Sequence, residues 1–281
     1  MRYVLKAAVL AWISLAAVPA SAEDDEIIVT ASRSGGVRRA LVGSSVSVFS
    51  AEDLEQRQIR ALADILNEAP SANVSRQGGL GSLTAVRLRG SEGNHTLVLI
   101  DGIEANDPFQ GEFDFAALIS DELARVEVLR GQQSALYGSD AIGGVVHYIT
   151  ASGRDAPGFS ARGEAGSFGT HAASARIAGA NDRFEGALSA SIYETAGENI
   201  SRSGEEADGY QNRALSARGS VALSDALSFR AIARVTHAQG DNDDASFGAP
   251  VDGPDSYASN TFYALAGADF HSLGGAWTHA L

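Results

Sequence analysis

The chain has 281 residues, 44% hydrophobic and 20% charged, so it can bury a core and is not a polar disordered chain. Its formal charge of −14 would repel the phosphates of nucleic acid, and the absence of Cys excludes disulfide scaffolds, thiolate metal sites and cysteine nucleophiles. Abundant glycine favours short strands joined by many turns.

Arg2 and Lys6 precede an apolar run from Ala7 to Val18, and Ala20-Ser21-Ala22 supplies the small residues a signal peptidase accepts. Residues 1–22 therefore read as an export leader cleaved after Ala22, with an N-terminal amphipathic anchor as the alternative. The run is about a dozen residues, short of the ~20 needed for a spanning helix. No other segment has that length, which leaves the mature chain soluble or spanning as a β-barrel.

Next, Asp25-Glu26-Ile27-Ile28-Val29-Thr30-Ala31 joins acids to branched residues that favour extended structure. Such a segment can add a strand to a partner's sheet edge, or it can be an ordinary first strand. A basic, Gly-containing linker runs to Gly43, closing a segment over 23–43. Ser44–Phe49 alternates as a strand, and Ser50-Ala-Glu-Asp53 reads as a capping box opening a short helix. A second helix is predicted over Ala61–Glu68, with Leu62, Ile65, Leu66 and Ala69 on one stripe and Pro70 behind it.

From Asn73 the pattern turns β-like. Gln77–Thr84 is a Gly-rich turn leading into the alternating strand Val86–Gly90, and Leu97–Ile100 is an apolar strand closed by the Asp101-Gly102 turn. An aromatic-tipped loop spans Asn106–Phe115. Arg125–Thr150 then reads as two apolar strands around a glycine-punctuated turn, in which Ser134 is a turn residue. Residues 44–155 so form one compact unit with mixed helices and strands.

After Pro157 the chain carries moderately hydrophobic alternating runs beginning at Phe159, His171, Phe184, Ala214, Leu227 and Phe262. Each has roughly the ten residues of a tilted transmembrane strand, about six or seven strands in all over 156–281. Short turns, Ala180–Arg183 and Ser224–Ala226, would face one side of a membrane, and the longer connections Glu194–Gln211 and Gln239–Ser259 the other. A soluble antiparallel sandwich is the alternative. So few strands cannot close around a separate inner unit, so the sequence is expected to be a fragment.

Several separated motifs carry a resemblance. Asp25–Arg33 looks like the energy-coupling box of the TonB-dependent outer-membrane receptors. Val86-Arg-Leu-Arg-Gly90, Val98–Ile103, Arg125–Gly131 and Ser134–Val146 follow in the order of that family's plug. Within the family the chain is most similar to cobalamin (vitamin B12) receptors, through Gly138–Gly144 and the Gln77–Leu83 turn. It departs from the usual pattern at Gln132, where Pro is common, and at His147, where Asn is common.

The resemblance implies an α+β plug domain followed by the first strands of an antiparallel transmembrane β-barrel of roughly 22 strands. It implies active transport and no enzyme activity. The substrate would be cobalamin or a related corrinoid, with a ferric siderophore as the alternative cargo. Asp25–Ala31 would contact a TonB-type periplasmic energy transducer, and the barrel would meet outer-membrane lipid. By position, Gln77, Leu80, Ser82, Leu83 and Thr84 would touch substrate, with Asp107 and Pro108 on a neighbouring loop. Arg87, Arg89, Arg125 and Arg130 would pair with carboxylates of the barrel wall.

No cofactor is required, but Glu206, Asp208, Asp241, Asp243, Asp244, Asp252 and Asp255 fall in the two long connections, and such hard oxygen ligands suit Ca²⁺. A solvated acidic loop is the plainer reading. Asp241–Asp252 fails as an EF-hand because Ala245 and Ser246 stand at its fifth and sixth positions. The histidines show no HExxH spacing, and Ser134 lacks the flanking glycine of a nucleophile elbow. From a different class, a calcium-dependent surface adhesion module would require a self-contained β-sandwich.

Overall fold

The computed structural model of the protein describes residues 28–29, 37–120, 122–201, 206–244, 251–272 and 277–280. The expected leader lies outside the described residues, as do Asp25, Glu26, Ile27, Thr30 and Ala31 of the expected coupling segment. Ile28–Val29 forms a strand, β1, paired antiparallel with β2, Val37–Arg38.

An α+β unit follows. Its elements are β3 (Ser45–Ser50), α1 (Ala51–Gln56), α2 (Leu62–Leu66), β4 (Ala72–Arg76), β5 (Thr84–Leu88) and β6 (Thr96–Ile100). Then come β7 (Ile103–Glu104), β8 (Leu123–Arg130), α3 (Ser134–Tyr137) and β9 (Gly144–Thr150). Five strands make one sheet in the order β3-β8-β9-β6-β7, with only the β6–β9 pair parallel.

The predicted capping box starts α1. Ser50 Oγ accepts from the Asp53 N–H at 3.2 Å, and Asp53 accepts from the Ser50 N–H at 2.8 Å. Those Ser50 contacts hold the Asp53 carboxyl below its usual range. Leu54 of α1 and Leu62, Ile65 and Leu66 of α2 pack with Val98, Ile100, Val126, Val128, Val146 and Tyr148 on one face of the sheet. Full burial of each such aliphatic side chain stabilises by about 1.5–3 kcal/mol. Val46, Leu97, Leu99, Leu129 and Val145 make a smaller cluster on the other face.

The Asp101-Gly102 turn has φ of 50° and 88°, the doubly positive geometry that matches a hairpin's twist and that Asp-Gly tolerates, and it joins β6 to β7. Two details differ from the sequence reading. β5 ends before Gly90 because Arg89 and Gly90 turn with φ of 56° and 75°. Between β8 and β9 the expected glycine turn includes the helical turn α3, which Ser134 opens.

Seven strands then run in sequence, each antiparallel to the next. They are β10 (Gly158–Ala165), β11 (His171–Ala180), β12 (Phe184–Thr195), β13 (Tyr210–Ser224), β14 (Leu227–Asp244), β15 (Val251–Ser272) and β16 (Trp277–Ala280). Along β12 to β15 one face exposes Phe184, Leu188, Leu215, Val221, Phe229, Val235, Phe262 and Phe270. The opposite face buries Ser191, Asn212, Ser216, Arg234 and Thr236 against the α+β unit. Apolar outside and polar inside is the alternation of a transmembrane barrel wall. No helix among the described residues is long and apolar enough to cross a membrane.

One expectation is corrected. The predicted Gln239–Ser259 connection is largely strand, with Gly240 opposite Tyr257, Asp241 opposite Ser256 and Asn242 opposite Asp255. Its acids therefore ride on strand ends instead of a free loop.

Candidate functional site

The turn Gln77–Leu83 and the loop Asn106–Asp114 meet the inner wall of β13 to β15. The first is closed by Gln77 N–H to Leu83 O (3.1 Å) and Ser82 Oγ to Gly79 O (2.7 Å). Gly81 has φ of 94°, and a Cβ there would lie 2.1 Å from the Tyr210 ring, so both backbone shape and space demand glycine. Tyr257 on β15 donates its hydroxyl to Gly81 O.

In the second loop Asn106 accepts from Val98 N–H (2.7 Å) and donates to Thr96 O (3.0 Å) and Gly111 O (2.8 Å), which pins the loop to β6. Asp107 accepts the N–H groups of Phe109 and Gln110, both at 2.8 Å, and these hold its carboxyl below the usual range. Phe109 at the tip is 94% exposed. The sequence reading noted the aromatic-tipped loop but did not assign Phe109, whose signal was its place two residues after a turn-forming Asp.

The residues expected at substrate separate into two groups. Gln77, Leu83, Asp107 and Pro108 are exposed, whereas Leu80 packs against the cluster of Ile119, Tyr210 and Ala238. Ser82 and Thr84 are buried. The Thr84 hydroxyl donates to Ser82 O at 2.7 Å and its N–H to Asp114 at 2.9 Å, so Thr84 faces into the loop.

Two cavities adjoin at Leu83. One, of about 640 Å³, brings Gln77 and Ser82 together with Asp208, Asp241, Asp243 and Asp255. The other, of about 460 Å³, is lined by Asp107, Pro108, Glu112, Asp114, Tyr257 and Arg234 among others.

In the first cavity Asp208 accepts the Ile200 N–H at 3.0 Å, Asp243 accepts the Gly253 N–H at 3.3 Å, and Asp243 Oδ2 has no hydrogen-bond partner among the described residues. These acids suit a hard cation chemically, although no group of three or more potential ligands converges on a metal position among the described residues. Glu206 is exposed on the β12–β13 connection. Asp244 and Asp252 lie on β14 and β15, and their side chains are outside the described set.

The wall grips the α+β unit in two ways. Toward the cavities it does so with neutral donors on backbone carbonyls: Tyr210 Oη to Ala116 O (2.8 Å), Asn212 Nδ2 to Ala117 O (3.0 Å) and Tyr257 to Gly81 O. The second kind of contact is the ion pair. Arg218 reaches Asp101 at 3.2 Å, Arg60 reaches Glu164 at 2.5 Å, and Arg234 pairs with Glu122.

The expected polarity is thus reversed at two of the three pairs, because the wall supplies the cation. Arg125 instead pairs with Glu127 at 2.9 Å inside the unit, and Arg130 donates to Pro70 O. Arg218 and Arg234 escaped the sequence reading. Their only signal was the inward phase of each strand.

A unit of this topology, held inside a strand wall by its flank, matches the family model described as TonB-dependent Receptor Plug Domain over residues 39–145. Residues 39–145 are a TonB-dependent receptor plug domain by that match. The chain is 38% identical over 127 residues to the vitamin B12 transporter BtuB of Vibrio vulnificus (strain YJ016), a match covering 45% of this chain and 21% of that protein.

Among solved structures, the ferripyoverdine receptor of Pseudomonas aeruginosa aligns at TM-score 0.68 and 15% identity, covering 89% of this chain and 35% of that one. The siderophore receptor PirA of Acinetobacter baumannii aligns at 0.61 and 19% identity, covering 81% and 38%. At those identities the structures establish the fold, of plug and wall together. The chain spans about a fifth of the length of the curated relative and a little over a third of these receptors.

Proposed function

We propose that the protein imports a corrinoid, cobalamin or a close relative, across the outer membrane. The observation that carries this reading is the 38% identity over 127 residues to a vitamin B12 transporter. Residues 1–22 direct export, and the apolar outer face of β12 to β15 meets outer-membrane lipid. Gln77, Leu83, Asp107 and Pro108, together with Phe109, present the plug's outer surface to ligand. Asp25–Ala31 passes force from a TonB-type periplasmic transducer to the plug, by adding a strand to that partner. Ca²⁺ held by Asp208, Asp241, Asp243 and Asp255 would tie the outer ends of β14 and β15 to the Ala196–Gly209 connection, beside Gln77 and Ser82.

Isothermal titration of cyanocobalamin and of ferric siderophores into the receptor purified from outer membranes, with and without calcium, tests the reading. Saturable cyanocobalamin binding strengthened by calcium is the expected result. Binding of a ferric siderophore alone would move the cargo to that class.

A further inference from the structure

The inner part of the 460 Å³ cavity contains a charge already engaged elsewhere. Arg234 on β14 lines that cavity, is only 3% exposed, and pairs with Glu122 of the plug, also 3% exposed. Its guanidinium carbon lies 5.5 Å from the centre of the Tyr148 ring on β9. Glu122 stands immediately before β8, its carbonyl accepts the Ala151 N–H just after β9, and its second carboxylate oxygen accepts from Ser189 Oγ on β12 at 3.3 Å. One side chain therefore touches the ligand cavity, the start of β8, the ring of β9 and the barrel wall.

The pair also has unused bonding capacity. Arg234 Nη1 faces Glu122 Oε1, whereas the buried Arg234 Nη2 has no hydrogen-bond partner among the described residues. Guanidinium offers five donors, and leaving them unmet in the interior is costly. An acceptor arriving in the cavity would find donors waiting. Other carboxylates lining the cavity, Asp107, Glu112 and Asp114, disfavour an anion. A neutral carboxamide suits both: its NH₂ meets carboxylates and its carbonyl oxygen meets the arginine.

We propose that Arg234 is shared between ligand and plug, so that a ligand carboxamide drawing its guanidinium away from Glu122 loosens the β8–β9 pair and reports outer-side occupancy to the periplasmic side. This rests on the uptake reading above, and it names the positioning residue through which that site would be coupled to release. Arg218 and Asp101 hold the same C-terminal end of β9 that Glu122 caps, since Asp101 also accepts from Thr150 N–H at 2.9 Å and Thr150 Oγ1 at 2.8 Å.

Linkage makes the idea sharp. If ligand competes with Glu122 for Arg234, weakening the pair must tighten ligand binding by the factor through which ligand weakens the pair. Glu122→Gln is therefore expected to bind cyanocobalamin about tenfold more tightly than wild type and to lose amide-exchange protection at Tyr148–Thr150 before any ligand is added. Arg234→Met is expected to bind more weakly and to show no ligand-induced change in that protection.

Glu122→Asp, which keeps the charge but retracts it, should move both readouts in the Gln direction by less and covers the case in which Glu122→Gln fails to fold. A purely structural pair predicts the reverse for affinity. Equal or weaker binding by both Glu122 variants would overturn the proposal. A wild-type receptor that binds no cyanocobalamin would overturn the uptake reading instead, and unchanged β9 protection in Glu122→Gln would then overturn the latch independently.

Discussion

The plug and the seven-stranded sheet both use side-chain alternation, with opposite outcomes. In the plug, β6 and β9 are buried on both faces, so apolar residues run continuously and a polar one such as His147 must find a partner inside, here Glu127 of β8. In the sheet, the apolar set points away from the protein and the polar set points at the plug. The lesson is that specificity sits in different places. The plug carries it in turns of fixed shape, whereas the wall carries it in phase, through Tyr210, Arg218, Arg234 and Tyr257.

The harshest way to break the contrast is to put the same kind of charge on each side. Val128→Asp places a carboxylate in the plug core, where Val128 is fully buried, and should cost more than about 4 kcal/mol in urea unfolding. Leu215→Arg, on the exposed face of β13, should leave the plug intact and cost about 2–4 kcal/mol in barrel stability measured in lipid vesicles. If Leu215→Arg is as neutral there as an ordinary surface change, that face does not meet acyl chains.

A subtler difference is pH. Burial pushes the His147 imidazole below its ordinary value of 6.5, an effect only partly offset by Glu127 and Asp101. The unfolded chain takes up a proton as pH falls through 6.5 while folded His147 resists it. Plug stability should therefore be full above 6.5 and fall below it, by at most about 1.4 kcal/mol per pH unit. His147→Asn should flatten the thermal-stability profile between pH 7 and 5.

The smallest effect belongs to the α1 cap. Ser50→Ala should cost about 1 kcal/mol by thermal melting near neutral pH. Part of that loss should vanish as pH drops through the folded Asp53 value, below 3.8, because the Ser50 contacts favour the ionised Asp53.

Much of the plug was legible because local chemistry dictated it. Ser50 and Asp53 could only cap, Asp101-Gly102 could only turn tightly, and Leu97–Ile100 was too apolar for an edge. The wall was legible in its rhythm but not its ends: β14 and β15 extend through Asp241 and Asp255 because backbone pairing between long neighbours outweighed the low strand preference of Asp and Gly. The plug–wall ion pairs were illegible, since Glu122 and Arg234 are 112 residues apart and neither sits in a motif. The exposed group of Gln77, Leu83, Asp107 and Pro108 could be placed by position, whereas the enclosure of Thr84 depends on Asp114, thirty residues later.

The central claim is that this plug is moved by a partner acting on its N-terminal segment. Deleting residues 25–31 and following radiolabelled cyanocobalamin in cells tests it most directly. The account predicts surface binding equal to wild type with accumulation inside the cell abolished. Accumulation that persists in the deleted receptor while binding is unchanged would contradict it.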